Sequence, residues 1–170
     1  MNNSSSLQSR GLAVLRVILG VVFLMHGGQK LFIWGFHGVA GFLGGLGIPF
    51  PAFSGVVLTV VELLGGAALV LGLLTRWAAL LLAVDMLVAI LTFHLKHGFF
   101  NHNQGYEYNL TLALVALSFA INGAGPVSVD AALRLQDTGP VWGLAALLAA
   151  LGGAAVQLAN RRQPVAQESS

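Results

Sequence analysis

The sequence contains no cysteine anywhere in its 170 residues. That excludes disulfides, thiolate-ligated iron–sulfur clusters and any thiol nucleophile, so the electrons of a redox reaction would have to sit on something the protein binds. Charge is scarce too: only 8% of residues are Asp, Glu, Lys or Arg, against about 25% in soluble domains. The formal net charge of +2 is too small and too scattered to make the basic stripe that nucleic acid requires. No phosphate loop, nucleophile elbow or dinucleotide fingerprint is present. What is abundant is apolar surface, with 56% hydrophobic residues and a mean hydropathy of +0.83. The chain therefore reads as an integral protein of the lipid bilayer with little extramembrane mass. Backbone in lipid must satisfy its own hydrogen bonds, and no barrel-like alternation is visible, so the expected fold class is all-α.

Two apolar runs, 53–74 and 77–93, each carry a single carboxylate near the middle, Glu62 and Asp85. Only Thr75 and Arg76 separate them, which leaves room for a tight helical hairpin and nothing else. Runs of this length span a bilayer at 1.5 Å per residue. An acid at the centre of a span costs about 2.5–3.5 kcal/mol, so each faces a partner, a cavity or a pathway. A first span is expected over about 11–32. Arg16 interrupts its apolar run and no small-residue cleavage site follows, which favours a retained helix over a signal peptide. The glycine-rich but apolar segment 35–51 suits a re-entrant or interfacial connector, and Pro51 takes a first-turn position in the next helix. The most polar stretch between spans is 94–105, followed by a fourth span over 106–122. Ser128 is placed to cap a short surface segment, 129–135, and 141–158 is a fifth apolar run. The expected architecture is a four-helix transmembrane bundle over 11–135, plus a fifth C-terminal apolar helix within 136–160. Disordered or tail segments flank it at 1–10 and 161–170. Lys and Arg near the spans divide evenly between the two sides, so orientation stays open.

Residues three, four and seven apart share a helix face. Arg16, Gly20, Phe23, Gly27 and Lys30 line up on the first span, with His26 beside them; Thr59, Glu62 and Gly66 line up on the second. The third span aligns Ala78, Asp85, Ala89, Thr92 and Lys96, and the fourth Glu107, Thr111, Leu114 and Ser118. Small or polar faces let membrane helices approach closely, so these four faces are expected to meet. Counting rise per residue from the shared end puts Lys30, Lys96 and Glu107 at a mouth. The same count puts His26 roughly 9 Å inside and both acids roughly 14–16 Å inside, with Arg16 near the far surface. One reading is that these charges only pair and hold the helices in register. The other is a cavity in which Glu62, Asp85 and His26 exchange protons with a bound molecule.

His94 and His97 sit one turn apart, with His102 and Glu107 following. Their spacing matches no established metal motif, so no metal ligand is assigned. Haem held between His26 and His94 would need the two at equal depth, and His94 lies shallower. The Gly41–Gly45 pair lies outside the spans and signals backbone flexibility rather than helix dimerisation.

In order along the chain, the motif set is Arg16 with His26-Gly27 and Lys30-Leu31; Glu62-Leu63-Leu64-Gly65-Gly66; Gly72-Leu73-Leu74-Thr75-Arg76; Asp85-Met86-Leu87-Val88-Ala89; Gly105-x-Glu107; and Gly123-x-Gly125-Pro126 with Ser128-x-Asp130. This ordered set, from 12 to about 133, resembles the DoxX family of small bacterial membrane proteins. The resemblance implies a four-helix core in the bacterial inner membrane and an oxidoreductase role, with relatives tied to quinone-linked oxidation of reduced sulfur compounds or to thiol-redox defence. The resulting expectation is a membrane oxidoreductase, or a subunit of one, with a quinone above Glu62 and Asp85. Arg16, Lys30, His94, Lys96 and Glu107 would border the cofactor, and a soluble or membrane redox partner protein would handle the electrons. A non-catalytic anchor for a soluble redox enzyme and a small-solute carrier remain as alternatives.

Overall fold

A computed structural model describes residues 3–135, together with Leu148, Leu151, Gly152, Ala155, Ala159 and Asn160. The expected fifth span and C-terminal tail otherwise lie outside the described residues. Among the described residues the protein is all-helical, with no strand. Helix α1 covers Asn3–Gln29 and passes through a π-helical turn, Lys30–Trp34, into α2, Gly35–Gly45. Then come α3 (Pro51–Leu71) and α4 (Thr75–Ala89), the latter extended by a second π-helical turn, Ile90–His94. Short 3₁₀ turns at Leu95–His97 and Asn101–Asn103 lead to α5 (Glu107–Asn122) and the one-turn α6 (Val129–Ala132). Three continuous helical stretches, Ser6–Gly45, Pro51–Leu71 and Thr75–His97, are long and apolar enough to cross a membrane.

One expectation needs correction here. The Ser/Asn-rich N-terminal segment is helical from Asn3 onward. The connector after the first span is mostly α2, turned off the preceding helix at Gly35 (φ 65°). This glycine-rich but otherwise mostly apolar sequence sustains helix once lipid or protein removes water as a competing partner.

The bundle is built on a close antiparallel crossing of α1 with α3. Arg16 reaches Leu69, Gly20 abuts Gly66, and Gly27 abuts Leu63. A Cβ added at Gly20 would lie 2.6 Å from the Gly66 carbonyl oxygen, so the two backbones touch and only glycine fits. Further along α3, Val39 of α2 packs on Gly55. On its other side α3 meets α4, where Leu82 fills the space at Gly65. Helices α4 and α5 run antiparallel, with Arg76 at Ile121 and Asn109 at Met86. Leu19, Phe23, Leu69, Leu82, Met86, Leu112, Ala116 and Phe119 make the buried apolar core.

The face that α5 buries differs from the expected one. Asn109, Leu112, Ala113, Ala116 and Phe119 point inward, while Thr111, Leu114 and Ser118 are exposed. Thr111 Oγ1 donates to the Glu107 carbonyl (2.9 Å), which satisfies its hydroxyl inside the helix and lets it face outward. A side chain that can bond its own helix gives no reason to turn its stripe toward the core.

The candidate functional site

The end opposite the cavity is a structural clasp. Arg16 is buried, with Nε donating to Leu69 O (2.8 Å), one terminal nitrogen to Ala124 O (2.7 Å) and the other to Val127 O (3.0 Å). Three carbonyls and the nearby Asp130 charge account for a buried guanidinium. The Asp130 carboxylate accepts from the backbone N–H groups of Leu74 (2.7 Å) and Thr75 (2.9 Å), which caps the start of α4. Asp130 N donates to Gly72 O (2.8 Å), and Ser128 Oγ accepts from Ala131 N (3.1 Å) as an N-cap. Gly72 closes α3 in the left-handed conformation (φ 68°), and a Cβ there would press on Arg16 and Ser128 at 2.6 Å. Arg16, expected to border a cofactor, is instead bound to backbone at this clasp.

At the other end a cavity of about 690 Å³ lies among α1, α2, α3, α4, α5 and the two π-helical turns. Its walls are mostly apolar and include Phe23, Trp34, Phe42, Val57, Leu81, Val88 and Phe93. His26, Lys30, Glu62, Asp85 and His94 also line it, joined by Tyr108 and Asn109 from α5 and by Asn101 and Gln104 from the loop before α5. Such a space, largely apolar with a few convergent polar groups, has the build of a small-molecule site.

The charged part of the wall is compact. Lys30 Nζ lies 2.8 Å from Glu62 Oε1 and 2.7 Å from Oε2, astride the carboxylate. Glu62 is 2% exposed, so the pair is shielded from screening. Asp85 lies within electrostatic reach of both. Its Oδ2 is buried and has no hydrogen-bond partner among the described residues. Among the described residues one cation thus faces two carboxylates in this wall.

Counting along the first span puts Lys30 at the mouth; the structure puts its ammonium on Glu62. The cause is the close α1–α3 crossing together with the π-helical turn that begins at Lys30. The wide turn shifts which residue faces the partner, and a lysine stem carries its charge several ångströms along an apolar wall. His26 lies against Tyr108, ring centroids 6.1 Å apart. His94 Nδ1 donates to the Gln104 carbonyl (2.7 Å), since that oxygen can only accept, and its ring meets Phe93 edge-on.

Lys96 and Glu107 do not line the cavity. Lys96 is exposed, with its Nζ 5.7 Å from the centre of the Phe93 ring. Glu107 Oε2 accepts from Asn101 N (3.1 Å) and so orders the loop that borders the mouth. Among the described residues no group of three His, Asp or Glu side chains is arranged to hold a metal ion. Sequence reasoning passed over Tyr108 and Asn109. The available signal was Asn109 itself, an amide in an apolar run spaced i, i+3, i+4, i+7 with Leu112, Ala113 and Ala116.

Comparison with known proteins gives the family. The DoxX family profile matches residues 11–95. A Bacillus subtilis protein named "Putative oxidoreductase CatD" is 33% identical over 71% of this chain and 84% of its own length. Inner membrane protein YqjF of Escherichia coli is 30% identical over 75% of this chain and 95% of its own. The Mycobacterium tuberculosis membrane protein Rv3486 is 31% identical over 73% of this chain and 82% of its own. No solved structure matches. The ordered motifs, the all-helical fold and relatives aligned over most of their length together make this chain a member of the DoxX family.

Proposed function

We propose that the protein is an oxidoreductase of the bacterial inner membrane, or the membrane subunit of one, and that it binds a quinone-like molecule in the cavity. The observation that carries this reading is an apolar-walled space of about 690 Å³ with the Lys30–Glu62 pair and Asp85 set into one side. Its volume lies in the range of small-molecule sites, roughly 300–1,000 Å³. An amphiphile with a polar ring and an apolar tail fits such walls: the ring reaches the charged side while the tail lies along Val57, Leu81 and Phe53, of which Phe53 is 70% exposed on the outer surface. A Bacillus subtilis relative named "Putative oxidoreductase CatD" and Escherichia coli relatives named as inner membrane proteins support the same assignment.

A quinone supplies two-electron, two-proton chemistry when bound. In this reading Glu62, Asp85 and His26 take up and release protons at the ring oxygens. Lys30 holds Glu62 in place and offers a donor to an oxygen near it. His94 borders the ring from the loop side, and Lys96 and Glu107 shape the entrance. No side chain in this cysteine-free sequence stores electrons, so a redox partner protein or a diffusible reductant exchanges them.

The test is native mass spectrometry of the lipid-embedded protein, paired with solvent extraction and quantification of quinone. The expected outcome is near-stoichiometric quinone on the wild-type protein and little on Glu62→Gln. Protein purified from quinone-replete membranes without any quinone would overturn the reading.

A further inference from the structure

We propose that the cavity is built for the reduced, hydroxyl-bearing form of its ligand: a lipid-soluble molecule whose ring O–H donates to Asp85 Oδ2. This deepens the quinone-like reading above and rests on it. The argument begins with the hydrogen-bonding inventory of the wall. Among the described residues Lys30 is the cation of the charged cluster; it donates to Glu62 Oε1 and lies 2.7 Å from Oε2, which has no hydrogen bond of its own. Asp85 brings a second carboxylate into the same wall, and its Oδ2 is buried with no donor among the described residues.

Buried acceptors without a donor are expensive, more so when charged. For ionised Asp85 the partner that fits Oδ2 is a donor, and a ligand hydroxyl can be its source. A quinone carbonyl can only accept. It could take a hydrogen bond from Lys30 but would leave Asp85 as it is. A hydroxyl does both, accepting from Lys30 on its lone pairs and donating its proton to Asp85 Oδ2. A metal or ammonium ion would also neutralise Asp85. The walls argue against it, because Phe23, Trp34, Phe42, Val57 and Phe93 give a small hydrated ion few oxygens to replace its water. The same walls suit an uncharged ring with an apolar tail.

The experiment uses the full-length protein in lipid nanodiscs under anaerobic conditions. Binding is measured by calorimetry against empty nanodiscs for four decyl-tailed probes: a benzohydroquinone, its dimethyl ether, the matching benzoquinone and a primary ammonium. The wild type should bind the hydroquinone at least about tenfold tighter than the quinone or the ether, the size of one hydrogen bond to a charged acceptor. Asp85→Asn keeps the shape of the side chain but not its charge, and should reduce that preference to within about threefold. The wild-type comparison alone is decisive if the variant does not fold. Equal or tighter binding of the quinone, or of the ammonium, overturns this inference while leaving a quinone-sized site in place. Preference for the hydroquinone that survives in folded Asp85→Asn overturns it too. Failure of all four probes to bind removes the quinone-like reading itself.

Discussion

Lys30 and Glu62 show how a single pair can hold two helices and prepare a site at once. Glu62 is 3% exposed at its side chain and Lys30 15%, so both have left most of their water. A buried pair of this kind gains little over a well-packed apolar pair, but removal of one partner strands the other. Lys30→Met should therefore destabilise the protein by about 3 kcal/mol or more, whereas Lys30→Met with Glu62→Leu should recover most of that loss. Thermal unfolding of the two variants in the same detergent measures the difference. A double variant no more stable than the single one would sink the idea. Arg16 follows another logic, since its three carbonyl partners are backbone atoms that no neighbouring side chain can replace.

The α1–α3 crossing is the element on which the site depends, because it sets Lys30 against Glu62. Gly20 and Gly66 bring the backbones into contact there, whereas Gly28 has nothing within 4 Å of the position its Cβ would take. Gly20→Ala should cost about 1–3 kcal/mol by overpacking. Gly28→Ala, eight residues on in the same helix, should be neutral or stabilise by up to about 1 kcal/mol. Melting temperatures of the two variants give the contrast, and equal effects would show that the crossing is looser than described. The π-helical turns at Lys30–Trp34 and Ile90–His94 both contribute residues to the cavity. Each leaves an i→i+4 register for one wide turn, which swings the residues beyond it onto a new face.

Across the whole molecule the two ends have separate jobs. One is a clasp, where Arg16, Asp130 and Gly72 tie α1, α3, α4 and α6 together through backbone atoms. The other is open, with the 3₁₀ loop around Asn101–Asn103 bordering the cavity. If α4 crosses the bilayer, Leu74 and His102 lie on opposite sides of it. Because the chain has no cysteine, Leu74→Cys and His102→Cys each introduce a unique thiol. An impermeant maleimide on intact cells should label one of the two variants, and the other only after permeabilisation. Labelling of both, or of neither, in intact cells would contradict a spanning α4.

The all-helical class, a tight hairpin between α3 and α4, the α3 start at Pro51 and the small-residue faces that carry Gly20 and Gly66 were legible in the sequence, although the turn falls at Gly72, Leu73 and Leu74 and Thr75 already begins α4. Each follows from composition and helical period, which depend on near neighbours alone. The DoxX membership was legible for the same reason, since its motifs are local and ordered. Tertiary structure alone decided that Lys30 sits on Glu62, that α5 turns Asn109 inward and Thr111 outward, and that Arg16 is spent on three backbone carbonyls at the clasp. Those outcomes depend on how one helix rolls against another and where a turn widens. Residue period does not encode either, because several rotations bury nearly the same apolar area and only the full set of contacts selects among them.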